Sequence, residues 1–165
     1  MRVCLELKTS TDFAVVLLGK SVASDLFRGI GVAMRWSCEE VENERPPILV
    51  EVEGWVPHDF HPGALGYANL NGIDKPPSAV VLFERVEMAM NDEPAMRGVL
   101  FGYVLAHEVG HVLSGVPDHT AGGVMRARWS EEDLYRILSR RMKLTADDAR
   151  LMGRNQPPMN ANQRR

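Results

Sequence analysis

Hydrophobic and polar positions alternate along several short segments of the chain, the pattern of β-strands with one buried face. These segments, with one continuous apolar run, lie at residues 3–8, 32–36, 48–56, 64–71 and 79–83. Segment 64–71 contains Gly66 and is bounded by glycines, which favours a short, exposed edge strand. The run at 79–83 is apolar throughout, as expected for a buried strand.

Apolar residues recur at helical spacing in two longer segments. The first covers 13–30 and is interrupted by Gly19; the second begins at Glu93-Pro94 and reaches about Ser114. Two shorter helices are predicted further along, headed by Ser130 and Thr145, because each of these hydroxyl residues precedes acidic residues. The alternation of strands and helices favours an α+β or α/β fold with a mixed sheet.

Composition indicates an ordinary folded chain. It has 165 residues, 45% of them hydrophobic and 25% charged, which suggests a single domain, placed here at residues 1–152. Residues 153–165 are polar with paired prolines and are predicted to form a flexible C-terminal tail. We find no apolar run long enough for a membrane span.

Charge and cysteine content exclude further classes. The net charge of −3 argues against nucleic-acid binding. The basic residues after position 125 are interpreted as a segment docking on an acidic body or as a solvated helix face, and not as a nucleic-acid or membrane patch, since no aromatic residue follows Tyr135 among them. Two cysteines, Cys4 and Cys38, do not make a disulfide scaffold, and whether they pair is left open. Charged residues near the N-terminus argue against a signal peptide, so we expect a cytoplasmic protein, or a secreted one whose leader was removed.

Candidate chemistry is concentrated in the segment His107-Glu108-Val109-Gly110-His111, near the end of the second long helix. Residues i and i+4 lie on the same face of a helix. Two imidazoles there can hold one zinc ion, at roughly 2.0–2.1 Å from each nitrogen. Glu108 follows the first histidine, where a general base can take a proton from water without competing as a ligand.

A third ligand is expected soon after this helix. Gly115 can end the helix and Pro117 prevents it from resuming, so the chain can turn back toward the metal. His119 is favoured over its neighbour Asp118, because imidazole is the commoner zinc ligand. Beyond it, Met125 follows a glycine-rich turn and could form an apolar floor beneath the site.

These features resemble the metzincin clan of zinc metallopeptidases, whose pattern is HExxHxxGxxH followed by a Met-turn. In this chain the glycine comes one residue later and the third histidine two residues later than in the clan. The run at 123–129 is also similar to that of uncharacterised bacterial metzincin-like proteins.

The resemblance implies a zincin-like fold: a small mixed, mostly parallel sheet, a backing helix, an active-site helix and a helical C-terminal segment. It implies one zinc ion per chain, held by His107, His111 and His119, with Glu108 as general base and Met125 in the Met-turn. It also implies a peptide or protein substrate that pairs with the edge strand. The strand residues expected to contact substrate are Leu65, Gly66, Tyr67 and Ala68.

Alternatives remain open. A gluzincin-type peptidase would take its third ligand from Glu131, although the start of a capped helix explains that residue equally well. A catalytically inactive binding module of the same fold is the other alternative, against which Glu108 argues. Arg126 could bind a substrate carboxylate or carbonyl, or form a surface ion pair. A second metal at His58 and His61 is disfavoured, and the oligomeric state is left open.

Overall fold

The computed structural model describes residues 1–57, 59–60, 62–71, 76–90 and 94–153. Five strands form one sheet: β1 (Arg2–Leu7), β2 (Arg35–Trp36), β3 (Ile48–Glu53), β4 (Gly66–Asn69) and β5 (Ser78–Leu82). Five helices accompany them: α1 (Phe13–Arg28), α2 (Phe83–Ala89), α3 (Pro94–Ser114), α4 (Glu131–Leu138) and α5 (Ala146–Gly153).

The sheet has the strand order β2-β1-β3-β5-β4. All neighbours pair in parallel except β4, which runs antiparallel to β5 at one edge. Along β3 the side chains alternate as predicted, with Val50 and Val52 fully buried and Glu51 and Glu53 on the opposite face. The predicted mixed, mostly parallel sheet with 64–71 as its edge is therefore confirmed, although β4 covers only the middle of that segment.

Helix α3 is the central element of the fold. It contacts strands β3, β4 and β5 and all four other helices. Helix α1 packs along it, and the sequence interpretation of Gly19 as an interruption of that helix is wrong. A Cβ at Gly19 would lie far inside the van der Waals radius of the Phe101 ring. The glycine therefore makes room for Phe101, and α1 continues through it.

The two predicted C-terminal helices are present. Ser130 accepts a hydrogen bond from the Asp133 backbone N–H, and the Asp133 carboxylate accepts one from the Ser130 N–H, a reciprocal cap at the start of α4. Helix α5 follows Thr145 and ends at Gly153. The rest of the predicted tail, 154–165, lies outside the described residues.

Two elements differ from the sequence prediction. Strand β2 contains only two of the residues predicted at 32–36, because the Val32 N–H bonds to the Phe27 carbonyl in the turn that leaves α1. Helix α2 was not predicted. It follows β5 directly, and its first residue has no side-chain cap.

The structure pairs the two cysteines whose connection the sequence left open. A disulfide joins Cys4 on β1 to Cys38, which follows β2, with the Cα atoms 4.4 Å apart. Among the described helices, none combines the length and the apolar character needed to cross a membrane.

Candidate metal centre

Helix α3 presents two histidines one turn apart. The Nδ1 atom of His107 lies 2.8 Å from the Val124 carbonyl oxygen, and that of His111 lies 3.2 Å from the Val116 carbonyl oxygen. Because a carbonyl oxygen can only accept, each Nδ1 must carry the proton and donate it. In the neutral rings, each Nε2 is therefore an unprotonated lone-pair donor.

These two Nε2 atoms face each other at 3.1 Å. With both Nδ1 atoms protonated, no hydrogen bond can form between them in the neutral state, and the two lone pairs repel. Two nitrogens bound to one tetrahedral zinc at 2.0–2.1 Å are separated by about 3.3 Å. The pair is thus arranged as a cation would require.

The chain turns back after α3 and brings a third imidazole to the pair. Gly115 has φ +66°, and its N–H bonds to the His111 carbonyl at 2.9 Å, which ends the helix. The backbone then passes His111 at Val116 and reaches His119. One ligand atom from each of His107, His111 and His119 lies within 4.8 Å of the others.

The geometry separates His119 from the other third-ligand candidates. In the part of the chain that is described, the cluster capable of holding a metal consists of three histidines and includes neither Asp118 nor Glu131. Glu131 is exposed in the first turn of α4, beside the Ser130 cap. Three neutral imidazoles form a donor set suited to zinc, with room for a further ligand.

The surroundings of these three imidazoles favour their neutral form. His111 is buried, His107 is partly buried and His119 is exposed. Burial lowers the pKa of His107 to about 4, an effect that the hydrogen bond to Val124 only partly opposes. The pKa values of His111 and of the more exposed His119 are also lowered, chiefly because part of each side chain is withdrawn from water. The ligand nitrogens are therefore free of protons at neutral pH, as metal binding requires.

Glu108 lies between α3 and the edge strand. It is 6% exposed, and burial raises the pKa of its carboxyl to about 8. A Cβ at Gly66 would lie 2.9 Å from its Cγ and 3.0 Å from its Oε1. The strand therefore packs directly on this carboxyl group, and glycine is the residue that allows it.

Met125 lies beneath the histidine-bearing turn of α3. Its side chain is fully buried, and a Cβ at Gly110 would overlap its sulfur. The Val124 carbonyl just before it accepts hydrogen bonds from His107 and, at 3.3 Å, from the Trp129 ring N–H. The Trp129 ring also meets the His107 ring edge to face at 5.7 Å. One turn thus supplies both an apolar support and the partner that orients His107.

The four edge-strand residues singled out from the sequence occupy different positions. Gly66 and Ala68 pair with Val81 and Ala79 and share the sheet face turned toward α3. Tyr67 lies on the opposite face, where burial, Glu53 and Glu51 raise its pKa. Leu65 precedes β4, and its carbonyl accepts the Leu82 N–H at 2.9 Å.

Arg126 and the pair of histidines at 58 and 61 are the remaining candidates. The Arg126 guanidinium donates to the Asp133 carboxylate at 2.6 Å, the ion pair that the sequence left as an alternative to substrate binding. His58 and His61 lie outside the described residues.

Sequence analysis missed two residues that support the turn carrying His119. Thr120 and the buried Asp148 of α5 are joined by a side-chain hydrogen bond of 2.5 Å. In the sequence, Asp148 is recognisable only as one of the acidic residues that follow Thr145 at a helix start. An open cavity of about 400 Å³ lies beside this contact, lined by Asp118, His119, Thr120, Ala121, Asp147, Arg150 and Leu151.

The raised pKa of the buried Glu108 carboxyl group should make the stability of the metal-free protein depend on pH. The pKa of Glu108 is about 8 in the folded protein and ordinarily 4.5, so its contribution to folding stability is lost as pH rises between these values. His107 contributes in the opposite direction, but only between about pH 4 and 6.5. Chelator-treated protein should lose about 1–2 kcal/mol of unfolding free energy from pH 6.5 to 8. Denaturant titrations should show a flatter profile for Glu108→Gln, and equal slopes for the two proteins would contradict this.

Comparison with known proteins identifies a solved structure with a similar fold. No protein-family model and no curated protein matches the sequence. The crystal structure of archaemetzincin from Methanopyrus kandleri superposes with a TM-score of 0.61 at 16% sequence identity, over 94% of each chain. The α/β arrangement of five strands and five helices described above is therefore similar to the archaemetzincin fold.

Proposed function

We propose that this chain is a zinc-dependent metallopeptidase with one zinc ion, held by His107, His111 and His119. The observation that carries the proposal is the convergence of two unprotonated Nε2 atoms at 3.1 Å, beside a third imidazole and a buried carboxyl group. The similarity of the fold to archaemetzincin supports it. A purely structural metal site would have no use for Glu108.

In this proposal Glu108 is the general base. Zinc, when bound, polarises a peptide carbonyl and lowers the pKa of water toward ~7. Glu108 is mostly protonated at neutral pH without a metal, and a nearby dication favours its ionised form. The carboxylate then accepts a proton from the attacking water and passes it to the leaving amine.

The substrate is a polypeptide in an extended conformation. Strand β4 is at the edge of the sheet, and its face bearing Gly66 packs on Glu108. A peptide added to this edge would be held through its backbone, with its length running past the carboxyl group. Met125 supports the centre from below.

Two measurements test the proposal together. Elemental mass spectrometry of protein purified without chelator or histidine tag should find about one zinc per chain. A peptide library should be cleaved by this protein, remain intact with chelator, and be cleaved again after zinc is restored. One zinc per chain without cleavage would favour the inactive binding module, and failure to bind zinc at neutral pH would exclude both.

Gly66 provides a more specific prediction. In Gly66→Ala the new methyl group would lie 2.9 Å from the Glu108 Cγ and 2.7 Å from the Val80 carbonyl oxygen, so the carboxyl group must shift. We expect kcat to fall about 100-fold, the effect of a misplacement of roughly 1 Å, with zinc affinity unchanged. Steady-state kinetics and zinc titration measure the two effects. Gly153→Ala, at the end of α5 where a Cβ meets nothing within 4 Å, is the control and should remain active; a fully active Gly66→Ala would contradict the packing argument.

A further inference from the structure

A buried carboxylate connects α5 to the turn that follows His119. Asp148 is fully buried. Its Oδ1 accepts the Thr120 hydroxyl at 2.5 Å, and its Oδ2 accepts the Thr145 backbone N–H at 2.8 Å. Because burying a carboxylate without hydrogen-bond partners is unfavourable, these donors fix its position.

The turn is shaped around this carboxylate. Gly123 has φ +78°, and a Cβ there would lie 2.5 Å from the Asp148 Oδ2 and 2.6 Å from the Thr145 Cγ2. The backbone of Thr120 is also fixed, because its N–H donates to the Met125 carbonyl at 2.9 Å. Thr120 is thus fixed between Met125 and Asp148.

His119 needs such support more than the other two histidines do. His107 and His111 lie on α3 and are each oriented by a hydrogen bond to a carbonyl oxygen. His119 is exposed and lies on the connection after α3. Its position depends on the backbone of its neighbours, of which Thr120 is the next residue.

We propose that Asp148 is a positioning residue for the metal centre, which holds His119 in place through Thr120. Helix α5 thereby contributes to metal affinity although it supplies no ligand. The inference rests on the proposed function in one respect, that His119 binds the metal. It predicts that the Thr120 hydroxyl affects metal binding more than it affects the stability of the metal-free fold.

Matched threonine variants test this. Thr120→Val removes the hydroxyl that bonds to Asp148, whereas Thr145→Val removes the one that accepts the Asp148 N–H at 3.1 Å and caps α5. Zinc affinity is measured by competition with a chromophoric chelator, and the Tm of the metal-free protein by thermal unfolding. We expect Thr120→Val to weaken zinc binding about 10- to 100-fold, the range for lost supporting contacts around a metal. Thr145→Val should lower the Tm of the metal-free protein as much as Thr120→Val does. Its zinc affinity should stay within about threefold of that of the wild type.

Two further variants complete the test. Thr120→Ser retains the hydroxyl and should restore zinc affinity. Asp148→Ala removes both acceptor oxygens and should weaken binding as Thr120→Val does, which provides a second measurement if that variant does not fold. With Co²⁺ as the probe, the visible absorption of Thr120→Val should change in intensity or position, because the ligand geometry changes.

The outcomes distinguish this inference from the proposed function. If wild type binds zinc and both Thr120→Val and Asp148→Ala bind it equally well, the positioning role is wrong and the metallopeptidase proposal stands. If Thr145→Val weakens zinc binding as much as Thr120→Val, the contact is only structural and the inference is overturned. If wild type binds no zinc, both proposals are wrong.

Discussion

Replacing Glu108 by glutamine is expected to abolish peptide hydrolysis while leaving the zinc content of the protein unchanged. The amide has nearly the shape of the carboxylate, so the packing against Gly66 is preserved. It cannot accept a proton, so the attacking water loses its base. Removing a general base lowers kcat by about 10²- to 10⁴-fold. Cleavage of a quenched fluorescent peptide and elemental analysis of the same preparation measure the two quantities.

Glu131→Gln is the matched control for this variant. It makes the same change at an exposed position in the first turn of α4, outside the group of three histidines. It should retain both zinc and activity. A Glu108→Gln protein that cleaves at the wild-type rate would refute the general-base role. Loss of zinc from Glu131→Gln would instead restore the gluzincin alternative.

The parts of this fold that could be predicted are those whose signal is local. The helical spacing of apolar residues predicts the position of α3 along the chain. The same helix geometry places His107 and His111 on one face, one turn apart. The glycines around 64–71 correctly indicate an edge strand. In each case the sequence segment contains the physical cause of its own conformation.

The errors concern features determined by distant parts of the chain. Gly19 disrupts a helix in isolation, but Phe101 of α3 fills the space it leaves. Helix α2 is seven residues long and begins without a side-chain cap, so it depends on packing of Phe83 and Val86, both buried. Helix propensity alone cannot predict either outcome.

The residues of the candidate site also separate into those that local spacing predicts and those that depend on distant contacts. Spacing along a helix specifies His107, Glu108 and His111, but the choice between His119 and Asp118 depends on a turn. That turn is set by the Gly115 conformation and by the contact of His111 with the Val116 carbonyl. The support from Asp148 lies 28 residues beyond Thr120. No local pattern connects the two residues.

His119→Ala is expected to produce the largest loss of metal affinity outside α3. The variant keeps the two α3 imidazoles but removes the third nitrogen from the cluster. Loss of supporting contacts alone weakens metal binding 10- to 100-fold, so loss of a ligand should exceed about 100-fold. Competition titration with a chromophoric chelator measures the affinity. Because His119 is exposed, the metal-free variant should unfold at nearly the wild-type Tm.

Asp118→Asn is the control that decides between the two neighbouring residues. Asp118 raises the pKa values of His111 and His119 by its charge, so its removal should leave both imidazoles neutral over a wider pH range. Zinc binding at neutral pH should therefore change little. If Asp118→Asn lost zinc and His119→Ala retained it, the third metal ligand would be the Asp118 carboxylate and not the His119 imidazole. That result would refute the positioning role of Asp148. The general-base role of Glu108 would remain, beside a metal held by two histidines and one carboxylate.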